Sequence, residues 1–283
     1  MAFVIQSRFP RMVRRVRRMS NSMDELGKQA VFYARAIAAM PKALVHYRTE
    51  TIRLIAEISM GTGALAVIGG TVVIVGFLTL FTGGTIAVQG YSSLGNIGVE
   101  ALTGFFAAFI NVRIAAPVIS GIGLAATIGA GSTAQLGAMR VAEEIDALES
   151  MGIRPVPYLV GTRVLAGMIA IIPLYSLAVI ASFVASRFAT VVIYGQSAGV
   201  YDHYFSTFLI PSDILWSFVQ AILMAVAVMM IHTYYGFHAA GGPVGVGVAV
   251  GNAVRASLVA VVTVTLLVSL AIYGTSGNFN LSG

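Results

Sequence analysis

The sequence predicts an all-α integral membrane protein: five transmembrane helices, preceded by an N-terminal amphipathic elbow helix and joined at one point by a short acidic helix on the cytoplasmic side. Three observations carry this. Hydrophobic residues fill 58% of the 283 positions and charged residues only 10%, with a mean hydropathy of +0.89; soluble domains carry about a quarter charged residues. Long apolar runs occupy residues 62–80, 158–183, 214–231 and 256–273, and about 20 apolar residues cross a bilayer. The cations are not dispersed: Arg8, Arg11, Arg14, Arg15, Arg17, Arg18, Lys28, Arg35, Lys42, Arg48 and Arg53 all precede the first apolar run. A basic block beside a span reads as a cytoplasmic flank held against anionic headgroups, so the net charge of +6 does not point to nucleic acid.

Residues 1–29 form a basic cytoplasmic tail, and residues 30–283 the membrane domain. Within the tail, Met12, Val13, Val16 and Met19 alternate with arginines, a pattern open to two readings: a helix on the membrane surface, or a disordered solvated segment. The N-terminus lacks the short apolar core and small-residue cleavage site of a signal peptide, so the first span is expected to be retained. Residues 30–58 are the elbow. Glu50, Arg53 and Glu57 share one face and Ile52, Ile55 and Ile58 another, which suits a helix lying in the interface.

Residues 97–136 are apolar but interrupted by Glu100, Asn111, Arg113 and Pro117. Counting crossings resolves the region. One crossing, at residues 112–134, leaves Arg140, Arg154, Arg163 and Arg255 on the cytoplasmic side and Asp202 and Asp213 outside; two crossings would invert every later loop. Residues 97–111 are then expected to form an outer-leaflet helix, the N-terminus to lie in the cytoplasm, and the C-terminus outside the inner (plasma) membrane. Glycines inside the first two spans (Gly69, Gly70, Gly76, Gly121, Gly123, Gly129, Gly131) let helices approach closely. Pro117 and Pro173 are expected to kink their helices.

Residues 140–155 differ from the rest. Val141, Ile145 and Leu148 recur at helical spacing, Glu143, Glu144, Asp146 and Glu149 take the other faces, and Gly152 with Pro155 stops the helix. Two readings stand: a solvated connector, or a docking helix that meets a basic groove on a partner. Residues 194–211, with Tyr194, Tyr201, Tyr204, Phe205 and Phe208, suit a membrane interface or an extracytoplasmic contact. Pro211, Ser212 and Asp213 mark a helix start, and the glycine-rich residues 241–251 read as a flexible cytoplasmic loop.

Most catalytic classes are excluded. No phosphate-binding G-x-x-x-x-G-K-[ST] loop, H-E-x-x-H or G-x-S-x-G motif occurs, and the chain has no cysteine. Of Asp, Glu and His, the clear spans offer only His232, at the cytoplasmic end of the fourth, and it reads as a satisfied interfacial histidine; Glu100 and Arg113 lie near the outer end of the second span and could pair with partners. An ion-coupled carrier is thereby disfavoured.

The run GAMRVAEEIDALESMGIRP resembles the signature of the MlaE/YrbE permeases, the membrane subunits of lipid-transporting ABC systems that work with MCE-domain proteins. The stretches VQGYSSLGNIGVEALTGFF, YDHYFSTFLIPSD, GGPVGVGVAVG and GNFNLSG are most similar to B-type YrbE permeases of mycobacterial Mce systems, those of the cholesterol-uptake kind above all, with a fatty- and mycolic-acid kind close behind. The resemblance implies a non-catalytic permease that imports a hydrophobic lipid, cholesterol first, with fatty or mycolic acids and phospholipids as alternatives, since many members of the family are phospholipid transporters. It further implies an A-type YrbE subunit completing a heterodimer, a cytoplasmic ATPase dimer carrying the ATP and magnesium, and an MCE-protein tunnel outside. This chain would bind no cofactor or metal itself. Carried over by position, residues 140–152 become the ATPase-coupling helix, with Arg140, Glu143, Glu144, Asp146, Ala147, Leu148, Met151 and Gly152 as its site residues. Arg113 before Pro117 matches the family's arginine ahead of a Gly-Pro pair, although Ala116 replaces that glycine. Gln135 and Thr162-Arg163 also depart from the family pattern, where Glu and Pro-Arg are usual.

Overall fold

The computed structural model describes residues 10–60 and 67–273, all helix and short connection with no strand among them. The expected start of the first span, the Arg8 end of the tail and the terminal GNFNLSG lie wholly or partly outside these residues. In chain order the helices are α1 (Pro10–His46), α2 (Arg48–Met60), α3 (Val67–Gly95), α4 (Glu100–Val141), α5 (Glu144–Ser150), α6 (Val156–Ile193), α7 (Ala198–Phe208), α8 (Pro211–Phe237) and α9 (Gly242–Tyr273). Five of them, α3, α4, α6, α8 and α9, are long and apolar enough to cross a bilayer.

The elbow is two helices, and the first runs back through the basic tail to Pro10. α1 buries a stripe of Phe32, Ala36, Ala39 and Ala43, spaced three or four apart, against the start of α6. At Gly161 an added Cβ would come within 3.1 Å of the Ala43 methyl, so small residues on both sides set the distance. The chain then bends at Tyr47, whose ring meets Tyr158 edge-on at 5.2 Å, and α2 leaves in a new direction with Thr51 and Leu54 buried. Of the predicted polar face, Arg53 and Glu50 pair at 2.6 Å, and that hydrogen bond holds the Glu50 carboxyl below its usual range.

α3 continues well past Leu80, where the apolar run was expected to end. The Thr82–Thr85 stretch that lowers local hydropathy is a packing device: Gly83 faces the backbone of Ser182, and Ser186 Oγ donates to Gly83 O at 2.8 Å. Asn111 Nδ2 donates to that same Ser186 hydroxyl at 2.9 Å, so α3, α4 and α6 share one polar junction.

Residues 97–111 do not form a separate outer-leaflet helix. From Glu100 the chain is continuous helix to Val141, 42 residues, through two wide π-type turns at Asn111–Ala115 and Ala125–Gly129. Pro117 lacks an N–H and crowds the preceding turn, and the wider turn just before it absorbs that misfit without ending the helix. α6 likewise begins and ends in π-type turns, the first carrying Pro157.

The glycine-rich residues 241–251 are not a flexible loop. Only Gly241 and Gly242 take positive φ, 91° and 70°, and α9 starts at Gly242. Each interior glycine costs a helix about 1 kcal/mol, but a segment entering lipid must satisfy its backbone internally, which favours helix over loop. The core lies among α4, α6 and α8, where Leu124, Val164, Ile171, Met224, Val228 and Met229 are buried together with Val75 of α3 and Val261 of α9.

Candidate functional site

After Val141 the chain turns through Ala142 and Glu143, and Glu143 takes a left-handed φ of 59°, the one non-glycine residue to do so among those described. Such a conformation costs roughly 1–2 kcal/mol. The expected continuous helix over 140–152 is therefore α4, a sharp turn, and the separate seven-residue α5. Because the turn re-aims the chain, Val141 does not share the inner face predicted for it and remains exposed. Ile145 is the anchor: it is 1% exposed, set between Leu136 of α4 and Leu159 of α6, with Leu148 packed alongside. Burying such a side chain contributes about 2 kcal/mol.

The C-terminal end of α5 is equally well fixed. Gly152 has φ 77°, its N–H donates to Glu149 O at 2.9 Å, and Ile153 N–H donates to Leu148 O at 3.0 Å, the paired bonds of a Schellman cap. Arg140 and Asp146 pair at 2.7 Å across the turn, both substantially exposed. Glu143, Glu144, Ala147, Glu149 and Met151 face solvent. The result is a short helix pinned to α4 and α6 by one apolar edge and acidic on its outer side.

The remaining predicted residues sit far along the bundle, and the structure gives them internal partners. Arg113 binds Asp213 of α8 through Nη2 at 2.6 Å and Nε at 3.0 Å, and its guanidinium lies 4.2 Å over the Phe109 ring. Asp213 was legible only as part of a helix start; its pairing with a residue 100 positions earlier has no local signal. Glu100 contributes its carbonyl, which accepts hydrogen bonds from Gln196 Nε2 and Thr103 Oγ1, and its carboxylate makes no ion pair with a described residue. Pro117 is buried, and Ser120 Oγ donates to the carbonyls at its turn. Nearby, Arg187 and Asp202 form a two-armed exposed pair that lowers the Asp202 carboxyl. Burial pushes the Tyr201 phenol up.

His232 is satisfied, as expected, by partners on two other helices. It is fully buried, with Nδ1 2.7 Å from Thr133 Oγ1 and Nε2 3.2 Å from Ser257 Oγ, so that α4, α8 and α9 meet at one ring. Gly129 makes room for it: a Cβ there would lie 2.6 Å from His232 Cδ2.

A bundle of five apolar helices with buried polar junctions, carrying one exposed acidic helix between its second and third spans, defines a polytopic membrane protein. Residues 60–271 match the family described as Permease MlaE, and the chain belongs to that family. It is similar to a probable ABC transporter permease protein of Rickettsia felis, 26% identical over 89% of this chain and 95% of that protein. One of Rickettsia conorii is 27% identical over the same shares. The chloroplast protein TRIGALACTOSYLDIACYLGLYCEROL 1 of Arabidopsis thaliana is 27% identical over 64% of this chain and 52% of its own length.

Proposed function

We propose that this chain is the permease subunit of a multi-subunit ABC transporter that moves a hydrophobic lipid, with ATP hydrolysed on a separate cytoplasmic ATPase that docks on α5. The observation that carries the reading is α5 itself: a helix too short to be stable alone, pinned by Ile145 and capped at Gly152, presenting acidic side chains outward from the joint of two spans. A solvated connector has no need of a buried anchor, a Schellman cap and a left-handed entry. In this reading Glu143, Glu144, Asp146, Ala147 and Met151 contact the ATPase, Leu148 and Gly152 hold the helix in place, and Arg140 orients Asp146. The N-terminus and α5 then face the cytoplasm and the C-terminus lies outside the plasma membrane.

The resemblance to B-type YrbE permeases extends the proposal to an A-type permease partner, MCE-domain proteins on the outer side, and a sterol such as cholesterol as the imported lipid. The lipid class is supported by the family match and by the name of the Arabidopsis relative. An ion-coupled carrier is less well supported: Arg113 and Asp213 neutralise each other, and both ring nitrogens of His232 are engaged. The test is Glu144→Lys in protein inserted at normal levels. It should lose co-purification with the ATPase and lipid uptake together; co-purification at the original level would overturn the docking assignment.

A further inference from the structure

A cleft of about 610 Å³ opens between α1, the end of α5 and the end of α8. Lys28 and Arg35, two helical turns apart on one face of α1, stand at its rim with Val31 between them. Neither cation forms an ion pair with a described residue. The floor is aromatic: the Phe32 ring lies 5.3 Å from Tyr234, 5.7 Å from Phe237 and 5.3 Å from His238. Opposite the cations, α5 contributes Glu149. Elsewhere α1 exposes Ile37, Leu44 and Val45, between 53% and 70% each, an apolar surface that a helix on a bilayer buries among lipid tails. With α1 on a bilayer surface, the cleft lies at headgroup depth.

We infer that this cleft binds one phospholipid with an anionic, hydroxyl-bearing headgroup of the phosphatidylglycerol type. Lys28 and Arg35 offer two cations to one phosphodiester, with Glu149 the carboxylate among the lining residues and Glu25 near the Tyr234 phenol. Lys28 and Arg35 hold the phosphate, Glu149 accepts a hydrogen bond from a headgroup hydroxyl, and the acyl chains leave along Val31. The same lipid then touches α1 and α5 at once, so that headgroup occupancy steadies the acidic helix against the elbow. The inference needs only α1 on the membrane surface and is independent of what docks on α5.

The test is native mass spectrometry of the full chain in detergent, titrated with phosphatidylglycerol, phosphatidylcholine or inorganic phosphate. The double variant Lys28→Gln/Arg35→Gln should weaken the first phosphatidylglycerol by about thirty-fold and each single variant by about five-fold. Lys42→Gln, on the same stripe but outside the cleft, should leave it unchanged. Equal phosphatidylglycerol affinity in the double variant, or an equal loss in Lys42→Gln, would overturn a built site. Phosphatidylcholine binding as tight as phosphatidylglycerol would overturn the anionic class, and displacement by millimolar inorganic phosphate would assign the cleft to a soluble anion instead.

Discussion

α4 and α9 are both long, apolar and rich in glycine, yet 56% of the most apolar stretch of α4 is buried inside the chain and only 11% of that of α9. Hydropathy cannot separate them, because lipid tails and protein interior are equally apolar. What separates them is that the glycines of α4, Gly131 apart, are matched by neighbouring helices. In α4, Gly121 faces Met224 and Val261, Gly123 faces Val75, Gly129 faces His232, and Gly137 faces Val246 and Ala239. In α9, Gly247 meets nothing within 4 Å and Gly251, four residues on, meets only its own helix at Arg255. Bare apolar side chains such as Val259, Val262 and Leu266 need only lipid, but two small residues spaced for close helix approach are a surface with no counterpart among the described residues. α4 is thus the packed centre of the chain, and α9 the least covered of its five spans.

The sharpest way to break the comparison is to overfill α4. A Cβ at Gly123 already falls inside the radius of Val75 Cγ2, and Val75 is fully buried. Gly123→Leu should therefore destabilise the purified chain by about 3 kcal/mol, read as a lower midpoint in denaturing-detergent titration. An unchanged midpoint would mean that α3 and α4 do not cross where described.

A smaller effect is expected at the Arg113 end of α4. The Arg113 and Asp213 side chains are 12% and 16% exposed, so removing one strands a charge that is largely desolvated. Arg113→Leu should cost about 2 kcal/mol, below the full penalty for a buried pair because water still reaches both groups. Arg113→Leu/Asp213→Leu should recover much of the loss, a coupling that a double-mutant cycle on the same unfolding assay measures directly. Additive losses in the cycle would show that the pair contributes nothing as a pair.

The same contrast explains what could be read from sequence. Composition and the placement of cations are one-dimensional facts, and they suffice for five helices long and apolar enough to cross a membrane. The acidic run with Gly152 was legible as a helix with a stop, since anchor spacing and cap residue are local. Its left-handed entry at Glu143 was not, because glutamate gives no sign of positive φ. Helix ends were misread wherever glycine serves packing: Gly83 ends an apolar run but not α3, and residues 241–251 look flexible only until Gly245 is seen held against the Ala240 carbonyl. The Arg113–Asp213 pair and the His232 junction join residues about a hundred positions apart, a separation at which one sequence carries no pairing signal.

The smallest effect on folding, and the one that sharpens the comparison most, is expected in α9. Gly247→Leu adds four carbons to open space, and leucine is a better helix former than glycine, so the isolated chain should be unchanged or slightly more stable. If the face carrying Gly247 and Gly251 is where a second permease subunit packs, the same substitution holds the two helices apart and should cut co-purification of that subunit at least tenfold. A substitution invisible to the chain alone but damaging to the pair distinguishes an interface from a lipid-facing surface. Undiminished pairing would leave α9 facing lipid and move the contact to another helix, α3 being the next most exposed of the five.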